Sequence, residues 1–435
     1  MPLIQRWWHH AFLEERPSVS LSLFRLAIAI TVGCHMIPSF LQLPDNYLST
    51  AFKEHNASFF PLWALQLVDR SPDWLVIAFV ALFVVSWASF FIGFRAQASC
   101  FLMTASCYYF YALNSLHIGT LSFDILLVTL SLMWVTGYHG DWLSVDSLLR
   151  GDPHGWRRLR PFFIQRLLQL QIAWTFFYTA LSKITAGGNW LTDTPYYYLM
   201  HYPPEGVVKP FPFRAWLAAH QEVCRWIQVG IMSGELSLPW LWFIRQTRVL
   251  ALVLGVTFHV LLITTLHVPT IFFFLFPPQL LLFIEPEQVV TWIERARQRR
   301  MAKGRVTLLY DGRCGFCLAS IRRLGALDVF GYCELIDFHA VPDLAAFHPA
   351  LTPQRCHSRM QLVEAGGRLT EGFDSVRRLS LKLPTLWLVA PVLWLPGMGW
   401  LGRRVYDWVA ARRFLWHRGM RCADNQCGVG RSSNA

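Results

Sequence analysis

Cys314 and Cys317 are the sharpest chemical feature of this 435-residue chain. They stand in Leu309-Tyr310-Asp311-Gly312-Arg313-Cys314-Gly315-Phe316-Cys317, where a strand-like apolar run gives way to an amphipathic pattern. A thiol at the predicted helix N-terminus feels the helix dipole and unpaired N–H groups, which favour the thiolate. Arg313 adds an adjacent positive charge. Cys314 is therefore expected to attack, and Cys317, one turn later on the same face, to resolve the mixed disulfide. Half of a zinc site is the competing reading, and it needs a second pair of ligands. Cys333, Cys356 and His357 lie at no standard zinc spacing, and Cys422 and Cys427 would have to fold back. Redox chemistry is thus favoured and no metal is expected.

A second set of reactive side chains lies within apolar runs: Arg25, Asp124, Lys183, Glu235 and His259. In a bilayer each charged group costs roughly 2.5–3.5 kcal/mol on insertion scales, which makes each a functional candidate. Arg25 is expected to snorkel to the headgroups, in preference to an ion pair with Asp124 or Glu235. Asp124 is too deep for easy solvation and needs a buried partner. Lys183 either snorkels outward or, desolvated, becomes a neutral amine fit to act as a base. Glu235 with Pro239 predicts a helix break at membrane depth, where the carboxylate lines a cavity or pairs with a cation. His259 reads as interhelical hydrogen-bonding glue ahead of a ligand or base. His35, His117, His220 and His267 have no spacing that supports a haem or metal site.

The elements that must hold these residues follow from composition. The chain is 54% hydrophobic and 15% charged, against roughly 25% charged for an average soluble domain. Apolar runs near the ~20 residues needed to cross a bilayer recur. They predict a polytopic α-helical membrane domain of about eight spans, near 19–39, 73–93, 97–115, 118–137, 163–184, 248–268 and 270–285, with a broken one around 213–245. Residues 1–16 read as an interfacial helix and 17–294 as the membrane domain. A basic linker follows over 295–305, then an α/β domain over 306–422 and a flexible tail over 423–435. In that domain strands are expected at Val306–Tyr310, 332–338 and 360–364, and helices at 318–327 and 373–383. The apolar run 383–395 is too short to span and packs on the domain or the bilayer surface.

Charge sets the orientation. Residues 1–294 hold 17 Lys+Arg and 17 Asp+Glu, while 295–435 hold 22 and 10. Basic clusters at 150–166, 245–248 and 295–305 fall on one side of an eight-span arrangement, so both termini are expected in the cytoplasm of a multi-pass plasma- or inner-membrane protein. The basic excess then faces an anionic leaflet. The expected partners are the lipid bilayer and an unknown disulfide-bearing protein or small molecule, with no nucleic acid.

Two family resemblances follow from the motifs. Tyr310-Asp311-Gly312-x-Cys314-x-x-Cys317, Met360-Gln-Leu-Val-Glu364, Gly372-Phe-Asp-Ser-Val376 and Val405-Tyr406-Asp-Trp-Val-Ala410-Ala-Arg-Arg413 resemble the DCC family of thiol-disulfide oxidoreductases over about 306–422. That likeness implies a thioredoxin-like fold in which Asp311 and Gly312 open the turn presenting the two cysteines. Unlike thioredoxins proper, this chain has Ser358 or Arg359, not Pro, before the Met360 strand. Leu23-Phe-Arg25, Trp142-Leu-Ser-Val-Asp146, Tyr178-Thr-Ala-Leu-Ser-Lys183 with Trp190, Gly234-Glu235-Leu-Ser-Leu-Pro239 and Phe258-His259 resemble the HTTM domain shared with vitamin K-dependent gamma-carboxylase, over about 17–290. The carboxylase likeness implies Lys183 as base on a quinol.

The favoured function is a membrane-anchored thiol-disulfide oxidoreductase, which needs no cofactor for dithiol exchange. A cytoplasmic pair would be held reduced and act as a reductant. Two alternatives stay open: a quinol-dependent carboxylase-like enzyme that takes electrons from the dithiol and admits a quinone, and a non-enzymatic redox-sensing membrane module.

Overall fold

Long runs of Leu, Phe, Val and Trp without strand alternation fold as helices, and Pro and Gly set several of their ends. The computed structural model describes residues 5, 8–55, 60–116, 121–185, 190–267 and 270–413. Its main helices begin with α1 (Val19–Leu41), α2 (Asp73–Ile92), α3 (Ala96–Leu113), α4 (Leu121–Thr136) and the short α5 (Val145–Arg150). They continue with α6 (Phe163–Thr185), α7 (Gln221–Leu241), α8 (Arg248–Thr265), α9 (Thr270–Leu280) and α10 (Pro286–Ala302). Pro72 precedes α2 and a left-handed Gly93 closes it. Ser144 caps α5 by accepting from the Ser147 N–H, which satisfies one of the donors a helix start leaves unpaired.

The chain divides into two compact units, one drawn from Met1–Gly140 and Leu159–Pro286, the other from Asp141–Arg158 and Glu287–Ala435. This division departs from the expected boundaries at 294 and 305. Most of the stretch expected as a linker is helix α10, and α5 packs within the second unit on the helix that follows the dithiol.

The first unit is mostly helical. Helices stand at each of the eight positions read as crossings, and among the described residues three of them, α1, α2 and α8, are both long and apolar enough to cross a membrane. Phe24, Ile28 and Met36 of α1 meet Phe83 and Phe90 of α2 and Phe110 of α3 in its core. Val85 of α2 and Val249, Leu250 and Leu261 of α8 are exposed, as on helices whose outer faces are solvated by lipid. The segment read as broken does break, but at His220, between the short helix Arg214–Ala219 and α7. The break expected at Glu235 is absent: α7 runs on through Pro239. That proline lacks the N–H that would bond the Glu235 carbonyl one turn back, a single lost bond that does not end the helix. The described part of the N-terminal segment holds a single helical turn, His9–Leu13, and then β1 (Glu15–Pro17), paired antiparallel with β2 (Leu159–Pro161).

In the second unit, β3 (Val306–Tyr310), β4 (Cys333–Asp337), β5 (Gln361–Val363) and β6 (Leu369–Glu371) form a small mixed sheet ordered β4-β3-β5-β6. β3 runs parallel to β4 and antiparallel to β5, and β5 is antiparallel to β6. Successive residues of β3 face opposite sides. Leu308 packs with Ile321, Leu362 and Leu379, whereas Leu309 packs with Phe338, Leu351 and Cys356. The helices here are α11 (Gly315–Leu327), α12 (Pro353–Ser358), α13 (Gly372–Lys382), α14 (Ala390–Leu393) and α15 (Met398–Arg412). β6 and α12 escaped the sequence reading because three strand residues and six helical ones carry too little periodicity. α15 lies against α13 so closely that a Cβ on Gly402 would fall 2.1 Å from the Phe373 ring.

Candidate functional site

β3 ends at Tyr310 and α11 begins at Gly315, which leaves Asp311, Gly312, Arg313 and Cys314 to make the turn. Cys314 is itself the N-cap: its Sγ accepts from the Cys317 N–H at 3.3 Å. The residue is 2% exposed, and Cys317 is half-buried. A hydrogen bond from the Cys317 thiol lowers the Cys314 pKa to about 6, with help from the Cys317 N–H and the Arg413 guanidinium and against the effect of burial. Cys317 moves the opposite way, pushed up by that same bond, by burial and by the neighbouring thiolate. The helix start thus separates an activated sulfur from a protonated one.

A second cation joins the neighbouring Arg313 at Cys314. Arg313 is exposed, and its backbone N–H donates to Asp311 Oδ1 at 3.0 Å. A guanidinium that lowers the Cys314 pKa belongs to Arg413, almost a hundred residues on and buried. Arg413 also donates to the carbonyls of His357 and Ser358.

Asp311 is buried, and its carboxylate is held by two imidazoles. His339 Nε2 stands 3.0 Å from Oδ1 and His357 Nδ1 3.1 Å from Oδ2. A carboxylate only accepts, so both rings donate. Gly312 is fixed by Asp337, whose Oδ1 accepts its N–H at 3.0 Å, and a Cβ there would lie 2.1 Å from the Asp337 carboxylate. Gly312→Ala is therefore expected to destabilise the protein by about 1–3 kcal/mol, the usual cost of overpacking. Thermal unfolding checks this: Asp337→Ala in the same chain should recover part of the loss, and an unchanged midpoint in Gly312→Ala alone would contradict the packing.

Beside the pair lies an apolar cavity of about 650 Å³ with Cys317 on its wall. Tyr310, Phe316, Met360, Phe373, Leu401 and Tyr406 are among the other residues that line it. Tyr406 accepts the Met360 N–H at 3.2 Å on its hydroxyl.

In the first unit, three of the five ionisable candidates share one place. Lys183, Glu235 and His259 line a cavity of about 360 Å³ together with Trp190 and Phe276. Lys183 neither snorkels outward nor stands as an isolated amine. Its Nζ donates to both oxygens of Glu235, at 2.5 and 2.6 Å, and sits 5.0 Å from the Trp190 ring centre. His259 stacks on Phe276 with ring centres 3.4 Å apart, and its Nδ1 meets the Gly255 carbonyl one turn back at 2.8 Å.

Arg25 and Asp124 do not line that cavity. The snorkelling expected of Arg25 is overturned, because the residue is wholly buried. Its guanidinium donates to the carbonyls of His139, Phe90 and Phe91. The last two belong to the final turn of α2, where carbonyls lack the usual i+4 donors and the dipole end is negative; the Phe90 carbonyl also takes the Gly93 N–H of the cap. Asp124, in the first turn of α4, has the Tyr111 hydroxyl beside it. His117, Cys422 and Cys427 lie outside the described residues.

No curated protein and no solved structure matches the chain. Family models do match, and in the order the motifs suggested: an HTTM domain over residues 14–287 and a DCC1-like thiol-disulfide oxidoreductase over residues 308–419. The first covers more than half of the chain and, with the apolar helices, places it among membrane proteins. The second covers the mixed-sheet unit from β3 onward and brings a redox role with it. The chain belongs to the HTTM family and carries, after that domain, a DCC1-like thiol-disulfide oxidoreductase domain.

Proposed function

We propose that this protein is a membrane-anchored oxidoreductase that exchanges disulfides through Cys314 and Cys317. The observation that carries the reading is the geometry of the helix start, where Cys314 is the N-cap, its Sγ accepts the Cys317 N–H, and the surroundings lower its pKa while raising that of Cys317. The sheet order β4-β3-β5-β6, with one parallel and two antiparallel pairings, supports a thioredoxin-like arrangement for the unit. In the proposed reaction the Cys314 thiolate attacks one sulfur of a substrate disulfide and expels the other as a thiolate. The Cys317 sulfur then displaces the bound half, and its proton leaves with the departing thiols. We further propose about eight crossings with the dithiol on the cytoplasmic side, where the pair works as a reductant.

The test is made on the full chain. Reduced protein mixed with 2-hydroxyethyl disulfide should lose two thiols, mapped by alkylation and peptide mass analysis to positions 314 and 317, while the buried Cys100, Cys107 and Cys333 keep theirs. Retention of both thiols would refute the exchange. In intact cells an impermeant maleimide should leave the pair unlabelled until the membrane is permeabilised, and labelling from outside would reverse the orientation.

The carboxylase-type alternative asks Lys183 to act as a free base. An ammonium that donates to both oxygens of a carboxylate is poorly suited to that, so the cavity around it is proposed as a binding site and not as a source of base.

A further inference from the structure

We infer that the cavity beside Cys317 holds an apolar arm of the disulfide that the pair reduces, and that this substrate is drawn from a bilayer on which α15 and the segment before it lie. The inference rests on the thiol-disulfide reading above and names the substrate class for it.

Three observations converge. The cavity, about 650 Å³, falls in the range of small-molecule sites. Its walls are mostly apolar, with Ile321, Phe373, Val376 and Val409 among them and Asp311, Arg323 and Arg413 as the charged exceptions. An apolar wall of this size gains by excluding water, and an alkyl or prenyl chain is the ligand that does so. Cys317 opens onto it, one turn from Cys314 and hydrogen-bonded to it, so an arm in the cavity places its disulfide beside the pair.

Second, the neighbouring backbone is taken. An extended peptide would dock by pairing with main-chain groups at the start of β5. There the Met360 N–H is bound by Tyr406, and the carbonyls of His357 and Ser358 by Arg413. Recognition is left to the apolar wall.

Third, the element that closes the cavity turns a second apolar face outward. Leu401 and Val405 line the cavity and are themselves half exposed. Around them Trp387, Leu388, Leu395, Trp400 and Trp408 are exposed, Leu388 at 84%. Arg404 lies over the Trp400 ring at 4.7 Å and Arg412 over Trp408 at 4.5 Å. From 381 to 412 the chain carries four Lys or Arg and one Asp. Tryptophan rings capped by guanidiniums, beside exposed apolar residues and a basic excess, match the headgroup region of an anionic membrane.

The experiment uses the reduced full chain in phosphatidylcholine–phosphatidylglycerol vesicles and compares two oxidants, didodecyl disulfide in the lipid and 2-hydroxyethyl disulfide in the water. The measured quantity is the ratio of the two rates of Cys314–Cys317 oxidation, which cancels losses of folded protein. Val376→Phe and, independently, Val409→Phe fill the cavity and should lower that ratio about tenfold or more, by excluding several methylenes of the arm. Trp400→Ser combined with Trp408→Ser should lower it as well. A ratio equal to the parent's in both filled variants would overturn the inference and leave the exchange reading standing. Oxidation by neither disulfide would sink both.

Discussion

Cys314→Ser should abolish disulfide reduction by protein that still inserts in the membrane, while Cys317→Ser should accumulate a mixed disulfide on Cys314. The asymmetry follows from the helix start. The Cys314 pKa is lowered to about 6, so at pH 7 the thiolate predominates, against about one in a hundred molecules for a thiol near 9. Because the pKa is lowered, the reactive form is present above about 6 and is lost as pH falls through that value. The rate of Cys314 alkylation by iodoacetamide should therefore rise to half its plateau near pH 6. Its 2% exposure lowers the plateau but does not move the midpoint. The largest contribution to the lowering is the Cys317 thiol, followed by the Cys317 N–H and then Arg413. Cys317→Ala should accordingly move the midpoint up towards the ordinary thiol range, and Arg413→Ala should move it up by less. A midpoint that stays put in Cys317→Ala would show that the pair is not coupled as described, and turnover in Cys314→Ser would remove the nucleophile from this site.

The parts of this site that were legible in the sequence are those that local physics determines. A strand, a tight turn and a helix around C-x-x-C can be read from hydrophobic periodicity, and the two cysteines fall where that pattern puts them. The rest is supplied by chain far away. Arg413 reaches Cys314 only because α15 returns across α13, an approach that depends on Gly402 under the Phe373 ring. The imidazoles on Asp311 come from His339, just after β4, and His357, at the end of α12. Neither has a spacing to Asp311 that marks it. The late motif containing Tyr406 and Arg413 did signal importance, but spacing along one chain does not say which turn a side chain will meet. In the membrane unit the same limit misplaced Arg25. Snorkelling was the cheaper solution for an isolated helix, and the carbonyls at the end of α2 are a partner that only the packed bundle provides.

Lys183→Ala should destabilise the protein by about 3–5 kcal/mol, because it leaves the Glu235 carboxylate buried without its cation. The Glu235 side chain is 8% exposed and that of Lys183 21%, and the two face each other across α6 and α7. Taking either partner alone forfeits the pairing and keeps the desolvation cost of the other. Removing both forfeits the pairing and the cost together. Lys183→Ala with Glu235→Ala should therefore be markedly more stable than the two single losses would sum to, with a coupling at the upper end of the ~0.5–3 kcal/mol found for residues in contact. Lys183→Arg should keep most of the stability, since a guanidinium supplies two parallel donors to the same carboxylate. Thermal unfolding of the four proteins in one detergent gives the cycle. The result also bears on chemistry, because a lysine serving as a free base would be stabilised little by Glu235 and would show a coupling near zero. The strong coupling expected here makes the pair part of the wall of its cavity, where a fixed positive and a fixed negative charge sit beside His259 and Trp190. A ligand of that cavity would then have to be largely apolar and present at most a dipole to the pair, since a net charge of either sign would break an ion pair the bilayer makes costly to break.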